Sequence, residues 1–309
     1  MVKRKKSKKP LWLKIVVILL IIVIADLFWY MFVVDVNQYI NRNPVKTAFM
    51  KYRERQWKSK DQNITIKQIW VPLNSISVDA RRAVVIAEDG KFWKHDGFDF
   101  DAMRKAIEKN IEQKKIAMGA STITMQLAKN LFLSPSKTPV RKVHEAVLTW
   151  RIERTLSKRR ILELYLNIAE WGNGIFGIEA ASRTYFGHAS SQLTKHEASL
   201  LAAVLPNPIK FNPLKNSRYV YKRSRLIRRA LGGDVKAAIA LHNDKKNAGI
   251  VRNRESAKDS GLPDADTLLI KDSLEKDLKV NVQSISTSAD TDSIIKEDEM
   301  VKNEIDKKL

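Results

Sequence analysis

Two acidic residues, Glu88 and Glu145, lie in a stretch rich in basic, hydroxyl and amide side chains between residues 86 and 167. Glu88 opens the pattern Glu-Asp-x-x-Phe-x-x-His-x-Gly, and Glu145 follows Arg141 by four residues. A carboxylate can accept a proton from an attacking sugar hydroxyl, and cations can stabilise the charge that develops on a leaving group. This mixture suits the transfer of a sugar from an anionic leaving group.

A second polar group follows Gly119 and contains five side chains that could contact a substrate: Ser121, Thr122, Gln126, Lys129 and Asn130. Backbone amides at the start of a helix, together with hydroxyls and a lysine, can form a cradle for phosphate. The Gly-Lys-Ser/Thr core of a nucleotide-binding P-loop is missing, so a nucleotide site of that kind is not predicted.

Each of these features alone has a plainer interpretation. Arg141 and Glu145 share a helix face and could be a surface ion pair worth about 0.3–0.5 kcal/mol. Alternatively, Arg141 grips a phosphate while Glu145 organises the leaving group. Lys158 and the two arginines after it could be a solvated basic patch. His95 is interpreted as a structural hydrogen-bonding residue, because the five histidines show no metal-ligand spacing.

The elements that must position these side chains are predicted to be helices. Residues 78 to 87 have an apolar face with Asp79 in the first turn, which places Glu88 at the helix end. Residues 122 to 132 form a buried helix. Thr138 caps a helix that reaches residue 156, and Ser157 caps the next, from 158 to 168. Glu197 lies in a capping box with Thr194. The fold class is therefore mainly α.

The N-terminal part of the chain predicts a membrane anchor. Six of residues 3 to 9 are basic, and Asp26 is the single charge between residues 15 and 34. Such a helix spans about 30 Å of hydrocarbon, and basic residues before it keep the N-terminus in the cytoplasm and the remainder outside. A cleaved signal peptide is the alternative, but no small-x-small cleavage site follows the span.

The predicted organisation has five parts. Residues 1–10 form a cytoplasmic basic segment, 11–34 a transmembrane helix and 35–64 a juxtamembrane linker. Residues 65–243 form the catalytic domain, and 244–309, which lack aromatic residues, form a disordered tail. Within the domain, residues 101 to 118 are interpreted either as a flap that dips into the membrane interface or as an ordinary surface helix.

Composition restricts the class of partner. The 56 basic and 34 acidic residues give a net charge of +22, which favours a polyanionic partner such as nucleic acid, anionic lipid or a phosphorylated substrate. Export across a membrane argues against nucleic acid. The chain has no cysteine, which excludes disulfides and thiolate metal sites.

Taken together, the motifs resemble the monofunctional, membrane-anchored members of the peptidoglycan glycosyltransferases of family 51, which have a lysozyme-like fold. The resemblance covers about residues 65–235 and has four motifs in the family's order. After the pattern at Glu88 come Gly-Ala-Ser-Thr-Ile with Gln126, then Arg-Lys-x-x-Glu ending at Glu145, and finally Lys-x-x-Ile-Leu-Glu-x-Tyr-Leu-Asn starting at Lys158. Met125 stands where the family usually has glutamine, and Phe211 where it usually has tyrosine.

The resemblance implies a role for each matched residue. Glu88 is the general base for the acceptor's 4-hydroxyl, and Glu145 assists departure of the diphosphate, directly or through a divalent cation such as Mg²⁺ or Mn²⁺. No residue is assigned as a metal ligand. The residues expected to bind diphosphate are Lys129 and Arg141, with Lys142 and Lys158 nearby, and those expected to line the cleft are Ser121, Thr122, Gln126 and Asn130.

The resemblance also implies a reaction and a location. The expected enzyme polymerises lipid II into glycan strands by inverting β-1,4 transfer and releases undecaprenyl diphosphate. It is expected in the bacterial inner membrane as a single-pass protein with its catalytic domain on the periplasmic side. The growing glycan chain, the membrane and other cell-wall synthesis or division proteins are the expected partners. The alternatives are a muramidase or lytic transglycosylase and a non-enzymatic scaffold for anionic polymers.

Overall fold

The computed structural model describes residues 11–112, 121–135, 138–215 and 217–241, and in these ranges the fold is mainly α. The basic segment 1–10, residues 113–118 of the expected flap and the expected tail 244–309 lie outside the described residues. The helices are α1 (Leu11–Phe28), α2 (Ala48–Ser59), α3 (Val78–Glu88), α4 (Phe100–Glu112), α5 (Ile123–Phe132), α6 (Pro139–Thr155), α7 (Lys158–Ile168), α8 (Ile178–Phe186), α9 (Lys195–Val204) and α10 (Arg218–Leu231).

The N-terminal helix is apolar on all sides. A turn of π-helix, Trp29–Val33, continues α1 beyond Phe28. The apolar segment Val16–Tyr39 has 24 residues, a mean hydropathy of 2.8 and no buried residue in its most apolar window. Because the segment is long and apolar enough to cross a membrane, it is compatible with the single-pass anchor expected from the sequence.

Two groups of helices form the core of the domain. The apolar face predicted for α3 is confirmed, because Ala80, Ala83, Val84 and Ala87 are all buried where α3 packs against α9 and α10. The second group has α5 at its centre, in contact with α2, α6 and α7. Glu88, at the end of α3, therefore lies where the two groups meet.

Local capping signals set the helix starts that the sequence predicts. The Thr138 hydroxyl accepts a hydrogen bond from the Arg141 amide at 3.3 Å, with proline in the first turn of α6. Ser157 caps α7 in the same way. Thr194 and Glu197 form the predicted capping box of α9, so the structural interpretation of Glu197 is confirmed.

A small sheet attaches the segment before α3 to the end of α7. Strands β1 (Lys67–Gln68), β2 (Glu170–Gly172) and β3 (Ile175–Phe176) lie in the order β1-β3-β2, with β1 parallel and β2 antiparallel to β3. The Asn167 side chain extends the attachment, because it donates to the Val71 carbonyl and accepts from the Val71 amide, both at 2.9 Å. Asn167 thus has a structural role, because it holds the segment before α3 against α7.

The segment 35–64, expected to be a juxtamembrane linker, differs in the structure because it contributes to the core. Met50 and Trp57 of α2 are 0% and 4% exposed. The Trp57 indole donates to Asn173 at 3.1 Å, and Arg53 pairs with Glu170 at 2.7 Å. Met50 and Trp57 lie seven positions apart on one helix face, and the half-buried Phe49 packs against the same core.

Candidate active site

Glu88 is a buried carboxylate that contacts side chains of two other helices. It ends α3, is 7% exposed, and accepts a hydrogen bond from the Gln126 amide at 2.9 Å. The Gln126 carbonyl oxygen accepts from the Tyr165 hydroxyl at 3.1 Å, which fixes the direction in which the amide points. The other carboxylate oxygen lies 3.4 Å from Nη2 of Arg223. Glu88 is thus oriented by α5 and given a compensating charge by α10.

Arg223 is a site residue that the sequence analysis missed. Its side chain is fully buried, and Nη2 also donates to the Ala87 carbonyl at 3.2 Å, at the last turn of α3. A signal was present in the sequence, because Arg223 falls on the apolar face of α10 between Val220 and Ile227. A charged residue at an apolar position of an amphipathic helix is buried only with a partner.

The loop after Glu88 is fixed to the start of α5. Asp89 accepts hydrogen bonds from the Ile123 amide at 3.0 Å and from Nε2 of His95 at 2.8 Å. The Gly97 amide donates to Nδ1 of His95, so Nε2 carries the proton in this arrangement. The structural interpretation of His95 is confirmed. The Thr122 hydroxyl, which also caps α5, donates to the Gly97 carbonyl at 2.7 Å.

The predicted substrate-binding residues of α5 share one stripe of the helix. Thr122, Gln126, Lys129 and Asn130 are spaced by four, three and one residues, so their side chains project from neighbouring positions. Thr122 is 3% and Asn130 8% exposed, whereas Ser121, Gln126 and Lys129 are half-buried. The Met125 side chain is 2% exposed and belongs to the core-facing part of α5.

Glu145 is the second carboxylate, and each of its oxygens contacts a cation of the same helix. Nη1 of Arg141 lies 2.6 Å from one oxygen, and the Lys142 ammonium contacts the other. The Glu145 side chain is 4% and Arg141 16% exposed, whereas Lys142 is half exposed. This is more than a solvated surface pair, because a buried carboxylate here depends on two charge-assisted bonds.

Lys158 joins the site through a residue that the sequence analysis did not single out. Its ammonium lies 2.8 Å from Glu153 of α6 and 4.7 Å from the centre of the Phe92 ring. The same Glu153 oxygen accepts from the Thr124 hydroxyl at 2.5 Å. Glu153 therefore connects α5, α6 and the start of α7.

The structure connects the helices and the loop that carry the four sequence motifs, and the contact with α6 is made at Glu153, eight residues after Glu145. Helix α5 contacts Glu88 through Gln126 and α6 through Thr124, and the loop at Phe92 contacts Lys158. Within the described residues no group of three acidic, histidine or cysteine side chains is placed to hold a metal ion. Since two cations already occupy the Glu145 oxygens, this donor set does not fit a protein-held divalent cation.

Comparison with known proteins agrees with this geometry. The model of the transglycosylase family matches residues 56–231, more than half of the chain. The biosynthetic peptidoglycan transglycosylase of Methylobacillus flagellatus is 44% identical over 210 residues, which cover 68% of this chain and 92% of the relative. The corresponding protein of Herminiimonas arsenicoxydans is 41% identical over 228 residues, covering 74% and 97%. That of Aromatoleum aromaticum is 52% identical over 169 residues, covering 55% and 74%.

The family match covers the helices that carry Glu88, Gln126, Glu145, Lys158 and Arg223. The chain therefore belongs to the transglycosylase family: it is a peptidoglycan glycosyltransferase of cell-wall biosynthesis, with a mainly α, lysozyme-like fold.

Proposed function

We propose that this enzyme elongates glycan strands from lipid II at the outer face of the bacterial inner membrane and releases undecaprenyl diphosphate. Two observations carry the proposal: Glu88 is a buried carboxylate oriented by Gln126, and Arg141 and Lys142 place positive charge around a second buried carboxylate, Glu145. Glu88 can accept a proton from the attacking sugar hydroxyl, and the cations can bind the negative charge of a leaving group. Transfer of a sugar from a diphosphate needs both of these functions.

In the proposed reaction Glu88 takes the proton from the 4-hydroxyl of the acceptor sugar as that oxygen attacks the donor anomeric carbon. The bond from this carbon to the diphosphate oxygen breaks at the same step, so an α-linked donor gives a β-linked product. No nucleophile from the protein is needed. Gln126 and Arg223 keep the Glu88 carboxylate aimed at one position, which provides the preorganisation on which such catalysis depends.

The leaving diphosphate is assigned to the cations of α5, α6 and α7. Arg141 and Lys142 hold Glu145 and present positive charge beside it, while Lys129 and Lys158 lie on the adjoining helices. Cations placed where charge develops stabilise the transition state more than the ground state. We assign the stabilisation of the leaving diphosphate to these side chains.

The cationic cluster also separates this proposal from glycoside cleavage. A muramidase or lytic transglycosylase uses carboxylates to break a bond between two neutral sugars, and no diphosphate leaves in that reaction. The cations Arg141 and Lys142 at Glu145 would have no anionic leaving group to bind there. The apolar helix α1 adds support, because a lipid-linked donor and an anchored enzyme meet at the same bilayer surface.

The experiment is polymerisation of fluorescent lipid-linked disaccharide-pentapeptide by the full-length protein, followed as glycan length and release of undecaprenyl diphosphate. Glu88→Gln keeps the size of the side chain and removes the base, so turnover should fall at least about 100-fold. Glu54→Gln, at a half-exposed glutamate of α2 paired with Lys46, is the matched control. Near-normal turnover in Glu88→Gln would remove Glu88 from the proposed role.

A further inference from the structure

The anchor helix carries a carboxylate that is paired with the helix of Glu145. Asp26 lies in the last turn of α1, and its carboxylate contacts Nε2 of His144 on α6. His144 is 7% exposed, and its ring stacks on Tyr30 with 3.9 Å between ring centres. A charge close to hydrocarbon is costly unless it has a partner. One histidine therefore contacts the anchor through both a hydrogen bond to Asp26 and an aromatic face.

A second contact lies two turns further along α6. The Arg151 guanidinium donates to the Tyr30 carbonyl at 2.8 Å and to the Val34 carbonyl at 2.6 Å. These carbonyls belong to the end of the helical segment, where they lack helical partners and attract cations. Because His144 and Arg151 are seven residues, or about 10 Å, apart on one face, the pair fixes both the position and the tilt of the anchor.

Helix α6 is also the helix of the proposed diphosphate site. Arg141 and Lys142 precede His144, and Glu145 follows it directly. A flexible tether of 30 residues would instead let the cleft move over about 30 Å, a distance comparable to the thickness of the hydrocarbon core. In the structure α6 is attached to the anchor at two points, His144 and Arg151, and these contacts prevent movement of α6 relative to the anchor.

On the basis of the proposed function at a membrane, we propose that Asp26, His144 and Arg151 form an anchor clamp. The clamp sets the height and tilt of α6 above the bilayer, so that the diphosphate of a membrane-embedded donor meets Arg141 and Glu145 in one orientation. The three residues of the clamp are positioning residues, since none of them is placed on a reacting atom.

The test compares one variant on two substrates. In liposomes, His144→Leu in the full-length protein should raise KM for long-chain lipid-linked disaccharide-pentapeptide about tenfold and leave kcat unchanged. With a short-chain, water-soluble analogue in detergent, KM and kcat should match those of the wild type. His196→Leu, on α9, is the control and should behave as the wild type in both assays. Equal effects on both substrates, or no effect in liposomes, would overturn the clamp.

A cross-link provides the rescue. Because the chain has no cysteine, the two cysteines introduced by Asp26→Cys and His144→Cys can be cross-linked selectively with a short bismaleimide. Before linking, the double variant should show the raised KM in liposomes, and after linking KM should return to within about threefold of the wild type. A KM that stays raised after cross-linking contradicts the clamp, because the contact between α1 and α6 is then restored without any recovery of KM.

A readout without activity separates the clamp from the proposed function. Val143 is 49% exposed on α6, so Val143→Cys can carry a fluorophore that a quencher in the lipid head groups reaches. Adding His144→Leu should lower the quenching about twofold, because α6 is then released from the bilayer surface. Unchanged quenching contradicts the clamp. If His144→Leu changes the quenching as expected but the wild type does not polymerise the lipid-linked substrate, only the proposed function is contradicted.

Discussion

The Glu88 carboxylate depends on side chains that come from three different helices. Gln126 is fixed by Tyr165 and can only donate to Glu88, while Arg223 approaches from α10. The sequence predicts Glu88 and Gln126 because they belong to short motifs. It does not reveal Arg223 as directly, because α10 contains several arginines and the contact joins residues 135 positions apart.

Arg223→Gln tests this neighbouring charge. Removing a buried cation leaves Glu88 without its partner on that side, and breaking a buried pair costs about 3–5 kcal/mol. We expect lower thermal stability and at least about a tenfold loss of turnover. The control is Arg229→Gln. Arg229 is exposed on α10, the helix of Arg223, and pairs with Asp234, so its loss should change neither the thermal stability nor the turnover. Wild-type turnover in Arg223→Gln would show that the Arg223 contact is not needed for Glu88 to act as the base.

At the scale of elements, local signals predict helix starts well and packing less well. Thr138, Ser157 and Thr194 cap the helices predicted from them, because a cap involves residues three positions apart. Helix α2 lies in the segment expected to be a juxtamembrane linker, because its sequence is mostly polar and charged. The surface that buries Met50 and Trp57 is formed by a distant part of the chain, which no local pattern reveals.

The loop between α3 and α4 approaches α6 at Gly97. Its φ is +87°, and a Cβ there would lie 2.8 Å from Thr149 and 2.9 Å from Glu153. Gly97→Ala should therefore destabilise the protein by about 1–3 kcal/mol and lower turnover, because it separates this loop from α6. Gly90→Ala is the control, since nothing lies within 4 Å of a Cβ at that position. Thermal denaturation and polymerisation of both variants give the comparison, and equal stability would contradict the close approach.

Helix α8 is held to the following turn by Glu179. Its carboxylate accepts from the Ser190 amide and from Nε of Arg183, both at 2.7 Å. Burial alone would raise the pKa of Glu179, but the hydrogen bonds from Ser190 and the pair with Arg183 outweigh burial and lower it. The charged form then stabilises the fold above the ordinary pKa of 4.5, and this stabilisation is lost as the pH falls through the folded pKa.

Glu179→Gln should thus lower the melting temperature at pH 7, and the difference from the wild type should narrow as the pH falls below 4.5. The expected destabilisation at pH 7 is about 1–3 kcal/mol, because the Ser190 amide and Arg183 lose a charged acceptor. Thermal denaturation between pH 7 and pH 3 measures it. A difference that stays constant over this range would contradict the assignment to the Glu179 charge.

At the scale of the whole molecule, the proposed catalytic and substrate-binding residues lie between Glu88 and Arg223. The family model ends at residue 231. Deletion of residues 244–309 should leave polymerisation within about threefold of the full-length protein, because it removes none of the proposed catalytic or substrate-binding side chains. Glycan length and rate in liposomes measure the outcome. A truncated protein that folds but makes no glycan would show that the C-terminal segment takes part in catalysis.

The contact between Arg223 and Glu88 has a consequence for biosynthesis. The chain is synthesised from its N-terminus, so Glu88 is made 135 residues before the guanidinium that contacts it. Until α10 has been made and has packed against α3, the nascent enzyme lacks this charge beside Glu88. We therefore expect chains that end before Arg223 to be less active than the full-length protein.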